Sequence, residues 1–424
     1  MKTLTHILAA AVFICACNSK PKKIIADAPP PPANAAIASL SLENVNKYYP
    51  AVSKFFDSLL LSKGFNGGIL VAKNGTILYE KYTGWQDLRK KDSLTSKSSL
   101  HIASTSKTFT GMAILRLIQE GRLGLNDSLS RFFPDFPYPG VTIKMLLSHR
   151  SGLPNYIYYL SEKKNWDRNV FVTNQDVLNS LYNIHPGVTS RPGTRFHYCN
   201  TNFVLLAMII EKLTGLNYGK YIKQTFFDPF GMKDTYVYSH NDSLTAIPSF
   251  KWNGGLWQED QFDRTYGDKN IYSTPEDLLK WDQAIYGGLV INKQLLDSAF
   301  TPYSNERRSI HNYGLGMRLL IFPNGKKVTY HNGRWHGYNS FFAHLPDENV
   351  TIIVLSNKFN SRVYSTRYIY DIFGPYMHER NDAGEEENDN GNGNGTSQAI
   401  NKINSGKSEP LTYKFITPPK IVKR

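Results

Sequence analysis

Ser104 and Lys107 are the residues whose types and spacing most directly suggest chemistry. A serine hydroxyl is a weak nucleophile until a neighbouring group takes its proton. Because these residues begin a predicted helix, the lysine three positions later lies on the same face and reaches the serine oxygen. Backbone N–H groups at a helix start also stabilise a developing oxyanion. The Ser-x-x-Lys pattern is therefore compatible with a serine nucleophile activated by an amine, but taken alone it is a weak signal, because a serine at a helix start is commonly only a cap.

Two further polar segments follow later in the chain. Tyr198-Cys199-Asn200 stands before an apolar stretch with helical periodicity, and His331-Asn332-Gly333 ends a strand-like stretch. Taken alone, Tyr198 fits a core tyrosine and Asn200 fits a helix cap. Cys199 is interpreted as a small packing residue, and His149 as a buried histidine of the core or next to the site. Only the combination with the Ser-x-x-Lys pattern favours a catalytic interpretation.

Several common catalytic signatures are absent from the sequence. It contains no Gly-x-Ser-x-Gly elbow, no His-Glu-x-x-His zinc helix and no phosphate-binding glycine loop before a lysine. The eleven histidines lack the spacing of metal ligands, since His331 and His336 are five residues apart around a predicted turn. Acyl transfer by a serine needs only side chains and water. We therefore expect no metal and no organic cofactor.

The rest of the body predicts a mixed α+β structure. Two apolar strands flank Asn74-Gly75, a dipeptide typical of two-residue hairpin turns. Thr274-Pro275-Glu276-Asp277 supplies a helix N-cap, a first-turn proline and a capping-box acid. Predicted helices cover 42–61, 104–120, 142–149, 175–183, 203–214 and 275–286, and predicted strands cover 68–72, 76–79, 313–322, 327–331, 338–345 and 351–355. Strands therefore open and close the body, and helices fill its middle.

In this order, the three motifs resemble those of the serine hydrolases that include class C β-lactamases, D-alanyl-D-alanine carboxypeptidases among the penicillin-binding proteins, and related esterases. These proteins carry Ser-x-x-Lys, Tyr-x-Asn, and Lys-Thr-Gly or His-x-Gly on a core strand. Similar flanking segments are Leu-Leu-Ser-His-Arg-Ser-Gly-Leu at 146–153, Asp-Pro-Phe-Gly-Met-Lys-Asp-Thr at 228–235, Ser-Thr-Pro-Glu-Asp at 273–277 and Tyr-Gly-Leu-Gly at 313–316. The resemblance implies a β-lactamase/transpeptidase-like fold: an antiparallel sheet of N- and C-terminal strands flanked by helices, plus a mostly helical subdomain.

The resemblance also implies a role for each matching residue. Ser104 is the acylated nucleophile, and Lys107 holds or relays its proton. Tyr198, as a phenolate stabilised by nearby positive charge, is the general base that later returns the proton to the leaving group. Asn200 orients Lys107 and the substrate amide. The backbone N–H groups of Ser104 and Arg334 form the oxyanion hole.

The third motif departs from the pattern of most β-lactamases. His331-Asn332-Gly333 stands where those enzymes have Lys-Thr-Gly, so a group expected to titrate near neutrality replaces a permanent charge. The hydroxyl that binds the substrate carboxylate is missing as well. These three residues are still predicted to bind or orient substrate, and the adjacent Arg334 offers a charge of its own. Efficient β-lactamase activity is therefore the least favoured of the hydrolase functions.

The ends of the 424-residue chain predict export and tethering. Residues 1–17 resemble a lipoprotein signal peptide, with Cys17 as the lipidated residue and simple cleavage or an uncleaved anchor as the alternatives. A Lys/Pro-rich disordered tether covers 18–40, the hydrolase domain 41–378, and a low-complexity tail, predicted to be disordered, 379–424. These features predict a bacterial cell-envelope protein, held on a membrane by its N-terminal lipid, with the domain in the periplasm or outside the cell.

The net charge of +14 favours acidic surfaces, but it does not indicate nucleic-acid binding, because the basic residues are dispersed and no recognition motif is present. The sequence thus predicts an exported serine hydrolase with a small-molecule or peptide substrate, for which the cell wall is one candidate source. A peptidoglycan-type peptidase or D-amino-acid amidase and an esterase are equally favoured. The alternative is a catalytically silent cell-wall sensor or binding module.

Overall fold

The computed structural model describes residues 42–376. The predicted signal peptide with Cys17, the tether and the C-terminal tail lie outside the described residues. Across 42–376, no helix combines the length and apolar character needed to cross a membrane.

The strands form one large and one small antiparallel sheet. In chain order they are β1 (Gly67–Lys73), β2 (Thr76–Thr83), β3 (Leu100–His101), β4 (Tyr236–Val237), β5 (Ile271–Ser273), β6 (His311–Tyr313), β7 (Arg318–Ile321), β8 (Lys327–Trp335), β9 (Tyr338–Leu345) and β10 (Val350–Ser356). The large sheet has the order β2-β1-β10-β9-β8-β7-β6, and the small one β3-β5-β4. Strand β1 pairs with β10, so strands from the two ends of the described chain lie side by side in the large sheet, as predicted for a sheet of N- and C-terminal strands.

The helices lie before, between and after these strands. They are α1 (Leu42–Leu59), α2 (Lys107–Gln119), α3 (Ile143–Leu147), α4 (Tyr156–Tyr159), α5 (Asn174–Asn183), α6 (Asn200–Thr214), α7 (Tyr218–Ile222), α8 (Pro275–Tyr286) and α9 (Lys293–Ala299), followed by a 3₁₀ helix at Ser361–Ile372. The fold is α+β and of the predicted type, with the helical region inserted between β2 and β6.

The predicted hairpin is confirmed, and two predicted strand boundaries are wrong. Asn74 and Gly75 have φ angles of 49° and 76°, the left-handed pair that a two-residue turn requires. The predicted strand 313–322 is two short strands, because the chain breaks at Gly316, whose φ is 82°. A Cβ at this glycine would lie 3.0 Å from the Cα of Gly111 in α2, so the break lets the loop contact the helix. Strand β8 continues beyond His331 to Trp335, because it pairs with β9 as far as the β8–β9 turn.

Successive side chains of the central strands point to opposite faces of the large sheet, and both faces are covered by a hydrophobic core. In β10, Ile352 and Val354 belong to a core packed against α1 and the C-terminal 3₁₀ helix. Ile353 and Leu355 belong to the larger core beneath the helical region. On the second face, Phe109 of α2 stacks on Trp281 of α8 with ring centroids 4.2 Å apart. The start of α2 is therefore fixed between the sheet and the helices.

Candidate active site

Ser104 lies in a short 3₁₀ turn, Ala103–Ser106, that connects β3 to α2. The φ of Ala103 is 48°, a left-handed conformation that costs an alanine energy and is held here by its surroundings. Its backbone N–H donates to Nδ1 of His101 at 2.9 Å. Thr105 donates through Oγ1 to the carbonyl oxygen of His331 in β8 at 3.2 Å. The turn is thus attached both to the small sheet and to the strand that carries the third motif.

Lys107 is fully buried and reaches three oxygen atoms. Its Nζ lies 3.1 Å from Oγ of Ser104, 2.8 Å from Oδ1 of Asn200 and 2.7 Å from the carbonyl oxygen of Asp268. The first contact follows from the spacing along the first turns of the helix, as predicted. The second places Asn200, in the first turn of α6, beside the same amine.

Tyr198 packs against two positive charges. The Nζ of Lys107 lies 5.0 Å from the centre of its ring, and the guanidinium carbon of Arg318 lies 4.9 Å from it. The phenol and Lys107 are buried and Arg318 is partly buried, so water screens these charges less than it would at the surface. Positive charge close to a buried phenol favours the phenolate form. The surroundings therefore include the nearby cations that a tyrosine base requires.

His149 supports Tyr198 from a second side. The two rings lie 4.2 Å apart. Nδ1 of His149 accepts the backbone N–H of Cys199 at 3.1 Å and lies 3.3 Å from Nδ2 of Asn202, both next to the Tyr198 segment. Burial, together with the charge of Lys107, lowers the pKa of His149 well below its usual value of 6.5. His149 is therefore a neutral ring that positions the tyrosine.

Cys199 shows the properties of a packing residue. Its side chain is buried, and its Sγ lies 3.4 Å from the carbonyl oxygen of Leu153. Burial raises the pKa of the thiol to about 11, so the reactive thiolate form is scarce at neutral pH.

The expectation that His331 titrates near neutrality is wrong. Its side chain is fully buried, with Nδ1 2.8 Å from the carbonyl oxygen of Asn332 and Nε2 3.2 Å from the hydroxyl of Tyr313. Burial lowers its pKa well below 6.5, and the charges of Arg318 and Lys107 act in the same direction. His331 is therefore neutral, and the third motif supplies no side-chain charge at its first position.

Gly333 lets β8 approach the nucleophile turn. A Cβ at this position would lie 2.4 Å from the carbonyl oxygen of Ile102, 2.4 Å from Oγ of Ser340 and 2.9 Å from the backbone nitrogen of Ser104. Only glycine permits this approach without a shift of the turn or the strand. The next residue, Arg334, pairs with Asn339 in β9, and its side chain stacks on Phe359. The oxyanion hole made by the N–H groups of Ser104 and Arg334 remains a prediction.

A second buried lysine next to this site has no signature in the sequence. The Nζ of Lys269 lies 2.7 Å from the hydroxyl of Tyr156 and also contacts Oγ1 of Thr265. It lies 4.5 Å from the centre of the Trp335 ring. Burial lowers the pKa of Lys269, while the adjacent Asp268 acts in the opposite direction. This cluster holds the segment whose carbonyl oxygen contacts Lys107.

Asp260, Asp263 and His336 place possible metal-ligand atoms within 4.8 Å of one another. Both oxygens of Asp263 lie 3.0 Å from Nε2 of His336, and Oδ1 accepts the indole N–H of Trp335 at 2.5 Å. The backbone N–H of Asp260 donates to Oδ2 at 2.5 Å. The carboxylate is thus already bonded to protein groups, and we interpret it as fixing the β8–β9 turn. Asp263, Trp335 and His336 border a cavity of about 160 Å³ with His101 in its wall.

Comparisons with known proteins agree with this arrangement. A family model described as Beta-lactamase matches residues 52–372. Penicillin-binding protein 4* of Bacillus subtilis (strain 168) is 35% identical over 322 residues, which cover 72% of this chain and 70% of that protein. Protein flp of Staphylococcus aureus (strain MRSA252) is 32% identical over 324 residues, and the match covers 70% of this chain but only 60% of that protein.

Among solved structures, the D-amino acid amidase of Ochrobactrum anthropi SV3 complexed with L-phenylalanine superposes with a TM-score of 0.61, over 76% of this chain and 97% of that one. At 22% identity, this likeness shows the shared fold alone. The family model and the relatives at more than 30% identity show more. The chain belongs to the β-lactamase family, whose serine hydrolases include the penicillin-binding proteins.

Proposed function

We propose that the protein is an exported serine acyl hydrolase that forms an acyl-enzyme on Ser104. The observation that carries this proposal is the position of Lys107 Nζ, 3.1 Å from Oγ of Ser104 and 5.0 Å from the ring of Tyr198. The amine thus contacts the nucleophile three residues before it and lies against the ring of a phenol from a distant part of the chain. A binding module has no need of all three.

In acylation, Tyr198 as the phenolate takes the hydroxyl proton of Ser104 while the Oγ attacks the carbonyl carbon of the substrate. The N–H groups of Ser104 and Arg334 stabilise the resulting oxyanion. The tetrahedral intermediate collapses, the bond to the amine or alcohol breaks, and Tyr198 returns the proton to this leaving group. Water then attacks the ester by the same sequence, which releases the acid and restores the serine.

Amide, peptide and ester substrates are favoured over penicillins. His331 is neutral and buried, and Asn332 lacks the hydroxyl of Lys-Thr-Gly, so two groups for binding a substrate carboxylate are missing. The likeness to a penicillin-binding protein and to the fold of a D-amino acid amidase favours peptides and amides of D-amino acids. An esterase fits the same site equally well.

The test treats the purified hydrolase domain, residues 41–378, with a fluorophosphonate or a labelled penicillin. The modified peptide is then identified by mass spectrometry. We expect the fluorophosphonate adduct on Ser104. A panel of esters, D-amino-acid amides, D-amino-acid peptides and β-lactams then identifies the class that turns over fastest. If the domain is not labelled and cleaves none of these substrates, the protein is the catalytically silent binding module.

Export and lipidation remain proposals drawn from residues 1–17. In cells that express the full chain and are grown with a radiolabelled fatty acid, we expect the protein to become labelled. Cys17→Ala is expected to abolish the labelling and to release the protein from the membrane fraction. Retention of the fatty acid in Cys17→Ala would contradict the assignment of Cys17.

A further inference from the structure

As the proposed base, the phenol of Tyr198 needs nearby positive charge to ionise. The third motif, which begins at His331, does not provide that charge. His331 occupies the position where most β-lactamases, by resemblance, carry a lysine. Its ring is fully buried and its pKa lies well below 6.5. A second cation next to Tyr198, besides Lys107, must therefore come from another element.

Arg318 is that cation, and it comes from the neighbouring strand. It is the first residue of β7, and it pairs with Tyr330 of β8, one residue before His331. Its guanidinium carbon lies 4.9 Å from the centre of the Tyr198 ring, and Nζ of Lys107 lies 5.0 Å from the same centre. The two cations are thus equally close to the centre of the tyrosine ring.

The charge of Arg318 also acts on the other rings around Tyr198. It lowers the pKa of His331, where it is the largest effect after burial, and that of His149. Both imidazoles contact the tyrosine: His149 at 4.2 Å and His331 at 6.4 Å between ring centres. A charge that affects these two rings affects the phenol that they enclose.

We propose that Arg318 is a positioning residue for acyl transfer: its guanidinium stabilises the phenolate of Tyr198, in place of the cation missing from the third motif. This inference rests on the proposed function, because it assigns Arg318 a role through the proposed base. It also explains why a neutral histidine is tolerated in the third motif, since an arginine keeps its charge at every relevant pH.

The inference predicts a pH dependence with a definite sign. The groups that face Tyr198 are Lys107, Arg318, His149, Tyr313 and His331. The two histidines stay neutral above pH 6.5, so they do not titrate in the range where the base loses its proton. Arg318 holds the pKa of the phenol down. Without it the pKa rises, and the acid limb of the rate profile moves to higher pH.

The experiment measures the rate of fluorophosphonate labelling of Ser104 between pH 5.5 and 10, which requires no knowledge of the substrate. We expect Arg318→Gln to label about 10- to 100-fold more slowly at pH 7, with an acid limb about one to two pH units higher, and to recover above pH 9. Arg318→Lys keeps the charge but not the planar guanidinium, so it is expected to label faster than Arg318→Gln at pH 7, with an acid limb closer to that of wild type.

Arg116→Gln is the matched control, because it removes one arginine from the last turn of α2, where the side chain pairs with Glu120. Its profile is expected to equal that of wild type. Thermal melting of every variant separates loss of charge from loss of fold. An unshifted acid limb in Arg318→Gln, or a rate lowered equally at every pH, would overturn the role of Arg318. Wild-type protein that does not label at Ser104 would instead overturn the proposed function.

Discussion

Replacing Ser104 with alanine is expected to lower turnover by a factor of about 10⁴ or more and to abolish covalent labelling. No other group takes over the nucleophile's part in this site, since the thiol of Cys199 is buried with a pKa raised to about 11. Turnover of the best substrate and the mass of the labelled protein measure the effect.

Stability is expected to change little in Ser104→Ala, by about 1 kcal/mol or less. Lys107 keeps its contacts with Asn200 and the carbonyl oxygen of Asp268, so the amine is not left unbonded. Ser106→Ala is the matched control, because Oγ of Ser106 accepts the backbone N–H of Ile271 at 3.2 Å. This variant is expected to lose about 1–3 kcal/mol of unfolding free energy and still to label at Ser104. Residual turnover above background in Ser104→Ala would mean that another residue is the nucleophile.

Local sequence signals predicted the local structure well. Asn74-Gly75 specified the hairpin because the turn needs two left-handed residues. Thr274 caps α8 as predicted, with its side chain accepting the backbone N–H of Asp277. The carboxylate of Asp277 does not close the predicted capping box. It instead accepts the backbone N–H of Asp234 at 2.8 Å and the hydroxyl of Thr235 at 2.9 Å. A local motif therefore identifies the helix start but not the tertiary partners of its side chains.

The parts of the site that the sequence could not predict depend on contacts between distant residues. Asp268 contributes a carbonyl oxygen to Lys107, and a backbone atom has no residue-type signature. Arg318 stands in a stretch predicted as one strand, and its position opposite the Tyr198 ring depends on the break at Gly316. The neutrality of His331 follows from its complete burial, which the types of its neighbours in the chain do not reveal.

The identity of the general base depends on whether the Lys107 amine presents an N–H group or a lone pair to the Ser104 hydroxyl. The amide oxygen of Asn200 and the carbonyl oxygen of Asp268 only accept hydrogen bonds, so they occupy two N–H groups. Towards Ser104 the amine presents either a third N–H, as the ammonium, or a lone pair, as the neutral amine. In the first case Tyr198 must take the serine proton; in the second Lys107 takes it.

Tyr198→Phe decides between these cases, and we expect it to lower the acylation rate by about 10²- to 10⁴-fold. The phenyl ring keeps its packing against His149 and Arg318, so only the hydroxyl is removed. Rapid-mixing measurements of labelling at Ser104 across pH 6–10 isolate acylation. We expect the acid limb that Arg318 shifts to disappear in this variant, because the group that titrates is gone.

Tyr313→Phe is the control, because Tyr313 is a second buried tyrosine of the same cluster whose hydroxyl lies 3.2 Å from Nε2 of His331. It is expected to keep the wild-type acid limb and a labelling rate within about tenfold of wild type, since losing one hydrogen bond to a neutral ring costs about 1 kcal/mol.

Full activity in Tyr198→Phe would instead assign the base to Lys107. The charge of Arg318 would then favour the neutral form of that amine, so Arg318→Gln would still slow labelling at neutral pH. The two cases are told apart by the acid limb: if it survives in Tyr198→Phe, the titrating group is Lys107.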